Sequence, residues 1–310
     1  MKTIRIAPFI DFLHGNKRII LNSRETILHL SETIGERSHS RYESLCTARD
    51  YLVNRFHELG AKPLFESYTV DGKEYSNIIV EIPGKKSSKN EIIIIGAHYD
   101  TVEDTPGAND NGSGIAALLE IYRLLSRHAT RRTVRLVAFT LEEPPFFSTE
   151  QMGSRVHAAR CTAEKHDIKL MVSIDMIGFA GRFVKQEFPR GTEKGKYPQT
   201  GDFLSVAALP SHSQYAYLWK KIYNTYATRR NRIFEIIAPA SVDGMNLSDH
   251  TSFHMNGYPA LFVTDTGFYR NKTYHTADDT EATINYRFLA ANIKNIFHTV
   301  KDIANRKTLP

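Results

Sequence analysis

Residues 92–114 read IIIIGAHYDTVEDTPGANDNGSG, and the rest of the chain is best understood outward from them. Four consecutive isoleucines mark a strand buried on both faces, as parallel strands of α/β sheets are. A loop rich in Gly, Asn and Asp follows. It leads into IAALLEIYRLL, where Ile115, Leu118, Leu119, Tyr122 and Leu125 recur at helical spacing. Between strand and helix stand His98, Asp100 and Asp110. Open α/β sheets place their ligands in such loops, at the carboxyl ends of buried strands.

The flanking chain repeats the pattern. Residues 40–60 predict a helix with Leu45, Ala48, Tyr51, Leu52 and Phe56 on one face and Gly60 as its C-cap. Phe65 to Val70 and Asn77 to Ile82 predict a hairpin turning at Asp71-Gly72. After the first helix, TVRLVAFT (133–140) reads as a second central strand that delivers Leu141-Glu142-Glu143. The loop PPFFSTEQM (144–152) then enters a helix at 154–166, and Leu170 to Ile174 is a third buried strand ending at Asp175. Residues 179–201, rich in Gly, Lys and Pro, read as a long surface excursion. A strand at 203–208, a helix at 212–228, a strand at 259–263 and a closing amphipathic helix at 284–304 complete the body. Residues 1–36 form a basic and apolar lead of one or two short helices, packed on a body at 37–310. Strands alternating with helices predict an α/β domain, its sheet mostly parallel and covered by helices on both faces.

Composition narrows the function classes. The chain has 310 residues, 41% of them hydrophobic, enough for one sizeable core. Its net charge is +6, but the 40 Lys and Arg are dispersed among 34 acids. The densest basic runs, Arg229-Arg230-Asn231-Arg232 and Lys85-Lys86-Ser87-Ser88-Lys89, lack interleaved aromatics, so a solvated surface is favoured over a nucleic-acid site. Cys46 and Cys161 are too few for a disulfide framework; they could form one bridge, but reduced, packed thiols are the preferred reading. No apolar run is long enough to span a membrane, and Asp11 and His14 interrupt the N-terminal one, so no convincing signal peptide appears. The chain reads as soluble, with the cytoplasm favoured.

Five candidate metal ligands lie in or just past strand-end loops: His98, Asp110, Glu143, Asp175 and His275. Two histidines and three carboxylates suit zinc or a similar divalent ion. A carboxylate bridging two ions about 3.5–4 Å apart would make a two-metal hydrolase site. Glu142, beside Glu143, is placed to serve as general base. Asp100, two residues after His98, is placed to accept the imidazole N–H. Each residue alone has an ordinary reading, such as Asp110 capping the following helix or Ser248-Asp249-His250 capping the next. Five together in strand-end positions favour the metal reading.

GAHYD, PGANDNGSG, LEE, SIDMIG, SDHTSF and YHTADD, in this order over roughly residues 77–300, resemble the zinc aminopeptidases of family M28. The resemblance implies a mixed, mostly parallel sheet of about eight strands in a single domain. It implies one ion held by His98, Asp110 and Asp175 and a second by Asp110, Glu143 and His275, with Asp110 bridging. Glu142 falls where the family has its base, and Tyr274 where some members hold the oxyanion. Asp110-Asn111 falls where the family often has a cis peptide, while Asp249 and His250 read either as the cap of the helix TSFHM or as support behind the ligands. Nine residues separate Glu143 from Gly153-Ser154, more than in compact members, so the rim should differ. The implied activity is removal of N-terminal residues from peptides with a free amine, two zinc ions activating a bridging water. The rivals are a single-zinc glutaminyl cyclase, a carboxypeptidase or other amide hydrolase on the same site, and a non-catalytic binding module. The aromatics of 144–152 and 255–268 favour an apolar N-terminal residue.

Overall fold

In a computed structural model, the structure describes residues 7–85, 88–190, 195–229 and 231–310. Parts of the N-terminal lead, the two basic runs and the excursion (1–6, 86–87, 191–194 and Arg230) lie outside the described residues. One mixed sheet organises the chain. Its strands are β1 (Leu64–Val70), β2 (Lys73–Ile82), β3 (Glu91–His98), β4 (Thr133–Phe139), β5 (Asp167–Ile174), β6 (Leu204–Ala208), β7 (Ile233–Ile237) and β8 (Ala260–Thr264). They lie in the order β1-β2-β4-β3-β5-β8-β6-β7. β4, β3, β5 and β8 run parallel, while β2 joins β4, and β6 joins β8, antiparallel.

The isoleucine run sits at the centre. Ile93 and Ile95 enter the larger core on one face, and Ile92 and Ile94 the smaller core on the other. Period-two alternation in a doubly covered strand produces this split. The larger core is shared with the helices α1 (Ala7–Leu28), α2 (Tyr42–Glu58), α3 (Gly112–Leu125), α5 (Ser213–Tyr226) and α7 (Tyr286–Asn305). On the smaller core lie α4 (Gly153–Ala163) and α6 (His250–Met255). From β3 the chain passes to β4 on one side and then crosses to β5 on the other. That reversal opens a crevice at the carboxyl ends of β3, β4 and β5, the usual ligand position of such sheets.

Two expectations need correction. The N-terminal lead holds one long helix, α1, continued by a π-helical stretch at His29–Ile34, instead of one or two short helices. Ile19, Ser23, Thr26 and Ile27 are buried where α1 lies on α3 and α7, and this stripe of isoleucines and small hydroxyl residues keeps the helix continuous. The sequence reading also passed over β7, whose five residues IFEII follow the basic run. It is a half-buried edge strand paired with β6. Both cysteines are free. Among the described residues no helix is long and apolar enough to cross a membrane.

Candidate metal centre and substrate cavity

Three strand ends and two loops meet in the crevice. His98 is the last residue of β3, Asp175 follows β5 directly, and Glu142 and Glu143 follow β4 through Leu141, whose φ is +55°. Asp110 precedes α3, joined to Asn111 by a cis peptide, as the family resemblance implies. His275 comes from the loop after β8, with φ +57°.

The side chains converge closely. His98 Nε2 lies 3.3 Å from Asp110 Oδ1, 3.6 Å from Asp175 Oδ1 and 3.8 Å from Glu142 Oε2. His275 Nε2 lies 3.2 Å from Asp110 Oδ2 and 3.3 Å from Glu143 Oε2. Asp110 thus turns one oxygen toward each histidine. Three trios have donor atoms within 4.8 Å of one another: His98 with Asp110 and Asp175, Asp110 with Glu143 and His275, and His98 with Glu142 and Glu143. Behind His98, Nδ1 meets the Asp100 carbonyl at 3.2 Å and its carboxylate at 3.7 Å. The other oxygen of that carboxylate accepts the Glu143 N–H at 3.0 Å, so Asp100 ties the two strand ends together. Tyr274 stacks on the His275 ring, centroids 3.7 Å apart. Asp249 is fully buried at the start of α6, while His250 turns its Nε2 to the Met245 carbonyl.

These donors fit a divalent ion. Two ligands each about 2.0–2.1 Å from a tetrahedral ion stand about 3.3–3.4 Å apart. The separations within the first two trios fall around that value. His98 Nε2, Asp175 Oδ1 and Glu142 Oε1 are buried with no hydrogen-bond partner. A folded protein rarely leaves such atoms unmatched without a ligand to satisfy them.

The charges acting on one another here are strong. Burial raises Glu142 well above the ordinary carboxylate range, opposed by His98 and reinforced by Glu143, Asp249 and Asp175. Burial and Asp110 push Glu143 up to about 7. Burial alone would raise Asp110, but hydrogen bonds from His275 and His98 hold it below the ordinary value. Crowded acids of this kind mark functional sites.

A cavity of about 260 Å³ opens from the cluster. Asp110, Glu142, Glu143 and Asp175 line its inner end; Phe188, Val242, Met245 and Phe268 stand in its apolar wall. Pro144 and Phe147 contribute as the aromatic loop suggested, and Phe262 and Phe268 come from the second expected stretch. The excursion at 179–201 is more than surface: Gln186, Glu187, Phe188 and Pro189 form part of this wall. Arg270, buried, fixes it by donating from Nε to Gln186 Oε1 at 2.8 Å.

Comparison with known proteins agrees with this geometry. The description "Peptidase family M28" matches residues 77–300. The chain belongs to that family. This M28 chain is 32% identical to the uncharacterized protein YfbL of Escherichia coli K12, over 88% of its own length and 84% of YfbL's. It is 29% identical to a "Probable leucine aminopeptidase" of Arthroderma otae, over 79% of its own length and 60% of the fungal chain. Among solved structures, the zinc aminopeptidase BSAP of Bacillus subtilis superposes with a TM-score of 0.74 at 15% identity. That match covers 94% of this chain and 96% of BSAP. At that identity the likeness shows the shared fold alone.

Several supporting residues of this M28 site escaped the sequence reading. Asp279 accepts the N–H groups of Asn109 and Asp110, at 3.0 and 2.9 Å. It is the last residue of YHTADD, four positions after His275. Asn111 Oδ1 accepts from Gly114 and Met176 while its amide donates to the Ile174 carbonyl, sewing the start of α3 to the end of β5. An Asn on each side of Asp110 was the available signal.

Proposed function

We propose that this chain is a zinc-dependent aminopeptidase that removes N-terminal residues from peptides. The observation that carries the reading is the Asp110 carboxylate, with one oxygen facing His98 and the other facing His275. His98, Asp110 and Asp175 would hold one ion, and Asp110, Glu143 and His275 the other. Such ions lower the pKa of water toward neutrality and polarise a scissile carbonyl. Glu142 borders the cavity with its basicity raised by burial. It would accept the proton of the attacking water at its carboxylate and return it to the leaving amine. Tyr274, also on the cavity, would donate its hydroxyl to the oxyanion. Asp100 would hold His98 in the tautomer that leaves Nε2 free for an ion. The substrate's α-amine would meet the carboxylates, and its first side chain would enter the apolar end. Residues 37–310 would carry catalysis, with 1–36 packed on them.

The test pairs metal analysis with substrates. We expect about two ions per chain, loss of activity on chelation, recovery with zinc, and cleavage of free aminoacyl reporters but not N-acetylated ones. Full activity with at most one tight ion, or conversion of N-terminal glutamine to pyroglutamate, would turn the reading to the cyclase. Equal cleavage of acetylated reporters would remove the aminopeptidase assignment.

A further inference from the structure

Arg37 lies outside the span matched by the M28 family and is fully buried. Among the described residues its guanidinium faces no carboxylate at hydrogen-bond distance. Instead it donates to five carbonyls. Nε reaches Tyr99 O at 2.9 Å. Nη1 reaches Leu30, Gly35 and Pro106 at 3.0, 2.9 and 2.7 Å, and Nη2 reaches Gly107 at 3.0 Å. Its own backbone N–H donates to Thr101 Oγ1 at 2.9 Å.

Three of the five carbonyls belong to the loop between His98 and Asp110. Tyr99 adjoins the first ligand, and Gly107 stands three residues before the second. The Gly107 carbonyl also accepts the Gly112 N–H, so the same fork reaches the first turn of α3. Packing is too close for another residue: a Cβ on Gly107, which has φ +65°, would meet Arg37 Nη2 at 2.8 Å and Asp110 O at 2.5 Å. The remaining carbonyls, Leu30 and Gly35, come from the π-helical stretch that continues α1 and from its C-cap. The loop thus closes around a cation supplied by the N-terminal segment. Only a planar five-donor group can serve carbonyls in so many directions at once; an ammonium cannot.

We propose that Arg37 is a positioning residue that holds the His98 and Asp110 side chains at ion-binding separation. The inference rests on the metal reading of the site. Ligand geometry is sensitive on this scale, and removing a residue that orients a ligand lowers metal affinity by about 10–100-fold.

The experiment measures zinc affinity of metal-stripped full-length protein by competition with a chromogenic chelator. Wild type is compared with Arg37→Lys, Arg37→Ala and Thr101→Val, with circular dichroism and Tm recorded on each. A core variant distant from the loop, Ile303→Val, controls for general loss of stability. We expect Arg37→Lys to keep its fold and lose affinity by about 10–100-fold. Thr101→Val should show a smaller loss, Ile303→Val none, and millimolar guanidinium should partly restore Arg37→Ala. Should the arginine variants fail to fold, Thr101→Val decides: weakened zinc binding at wild-type Tm supports the proposal. Wild-type affinity in any folded Arg37 variant overturns it, as does wild-type affinity in Thr101→Val when no arginine variant folds, or a loss matched by Ile303→Val. If wild type itself takes up no zinc, the metal reading has failed, which is a different result from wild-type binding that ignores Arg37.

Discussion

The inner end of the cavity hangs mostly from strand ends, with Asp110 and His275 coming from loops. His98 and Asp175 sit at or one residue past β3 and β5, and Glu142 and Glu143 follow β4 within four residues. The outer wall mixes residues of β6, β7 and β8 with two irregular segments, 186–189 and 242–247, the first held by the clamp of Arg270 on Gln186. Strand ends inherit the rigidity of the ladder on either side, and their direction is fixed by the pleat. Irregular segments have only the clamps they carry, and such regions open first. Chemistry should therefore fail when the inner residues change, and selectivity should drift when the outer ones do.

The sharpest way to break this division is Glu142→Gln. The variant keeps size and hydrogen bonding but cannot take up a proton, so kcat should fall by about 10²–10⁴-fold with both ions retained. Metal content measured beside kcat separates the roles: if Glu142→Gln loses an ion and Glu143→Gln does not, the two residues have exchanged functions. Next in size is Asp100→Asn, which leaves the backbone carbonyl contact to His98 but weakens the carboxylate tie to Glu143 N. Zinc affinity or activity should fall about 10–100-fold, and an unchanged variant would mean that Asp100 only turns the loop.

The outer wall should respond differently. Phe188→Ala should lower kcat/KM for bulky apolar N-terminal residues about tenfold relative to alanine, the scale of a partly emptied hydrophobic pocket. An equal loss for all substrates would place Phe188 in the chemistry and not in selection. The smallest effect is expected of Gln186→Ala, which removes the bond from Arg270 and the amide's bonds to Glu187 O and Thr266 Oγ1, the Arg270 clamp being worth about 1 kcal/mol. KM should rise about fivefold, the equivalent of that energy, with kcat and metal content unchanged. Loss of an ion in this variant would erase the distinction between the two ends.

The same division governs what could be read from residues alone. β3, β4 and β5 carry long apolar runs, and the residues just past them had to lie in the crevice once the sheet was recognised as parallel. His275 and Asp110 were legible because they fall within motifs resembling the M28 family. Gln186 and Phe188 were not, because a segment rich in Gly, Lys and Pro has no periodicity to say which face it presents. Arg37 was invisible for a different reason. Its partners are backbone carbonyls, which every residue has, and no pattern of side chains announces a cation whose acceptors are main chain. β7 was missed because four apolar residues interrupted by Glu235 beside a basic run give too short a signal, and only pairing with β6 makes them a strand.

The two histidines of the cluster differ in access. The His98 side chain is 1% exposed and that of His275 is 30% exposed. Under the metal reading this makes the two ions unequal in residence time. Water and small chelators can approach the Asp110–Glu143–His275 corner more directly than the His98–Asp110–Asp175 corner, whose histidine is buried. Chelation should then proceed in two kinetic phases, the faster releasing one ion per chain. Cobalt added between the phases should fill the His275 corner first and give a mixed-metal protein with a distinct absorption spectrum. Release of both ions in a single phase would mean that Asp110 lets neither leave without the other.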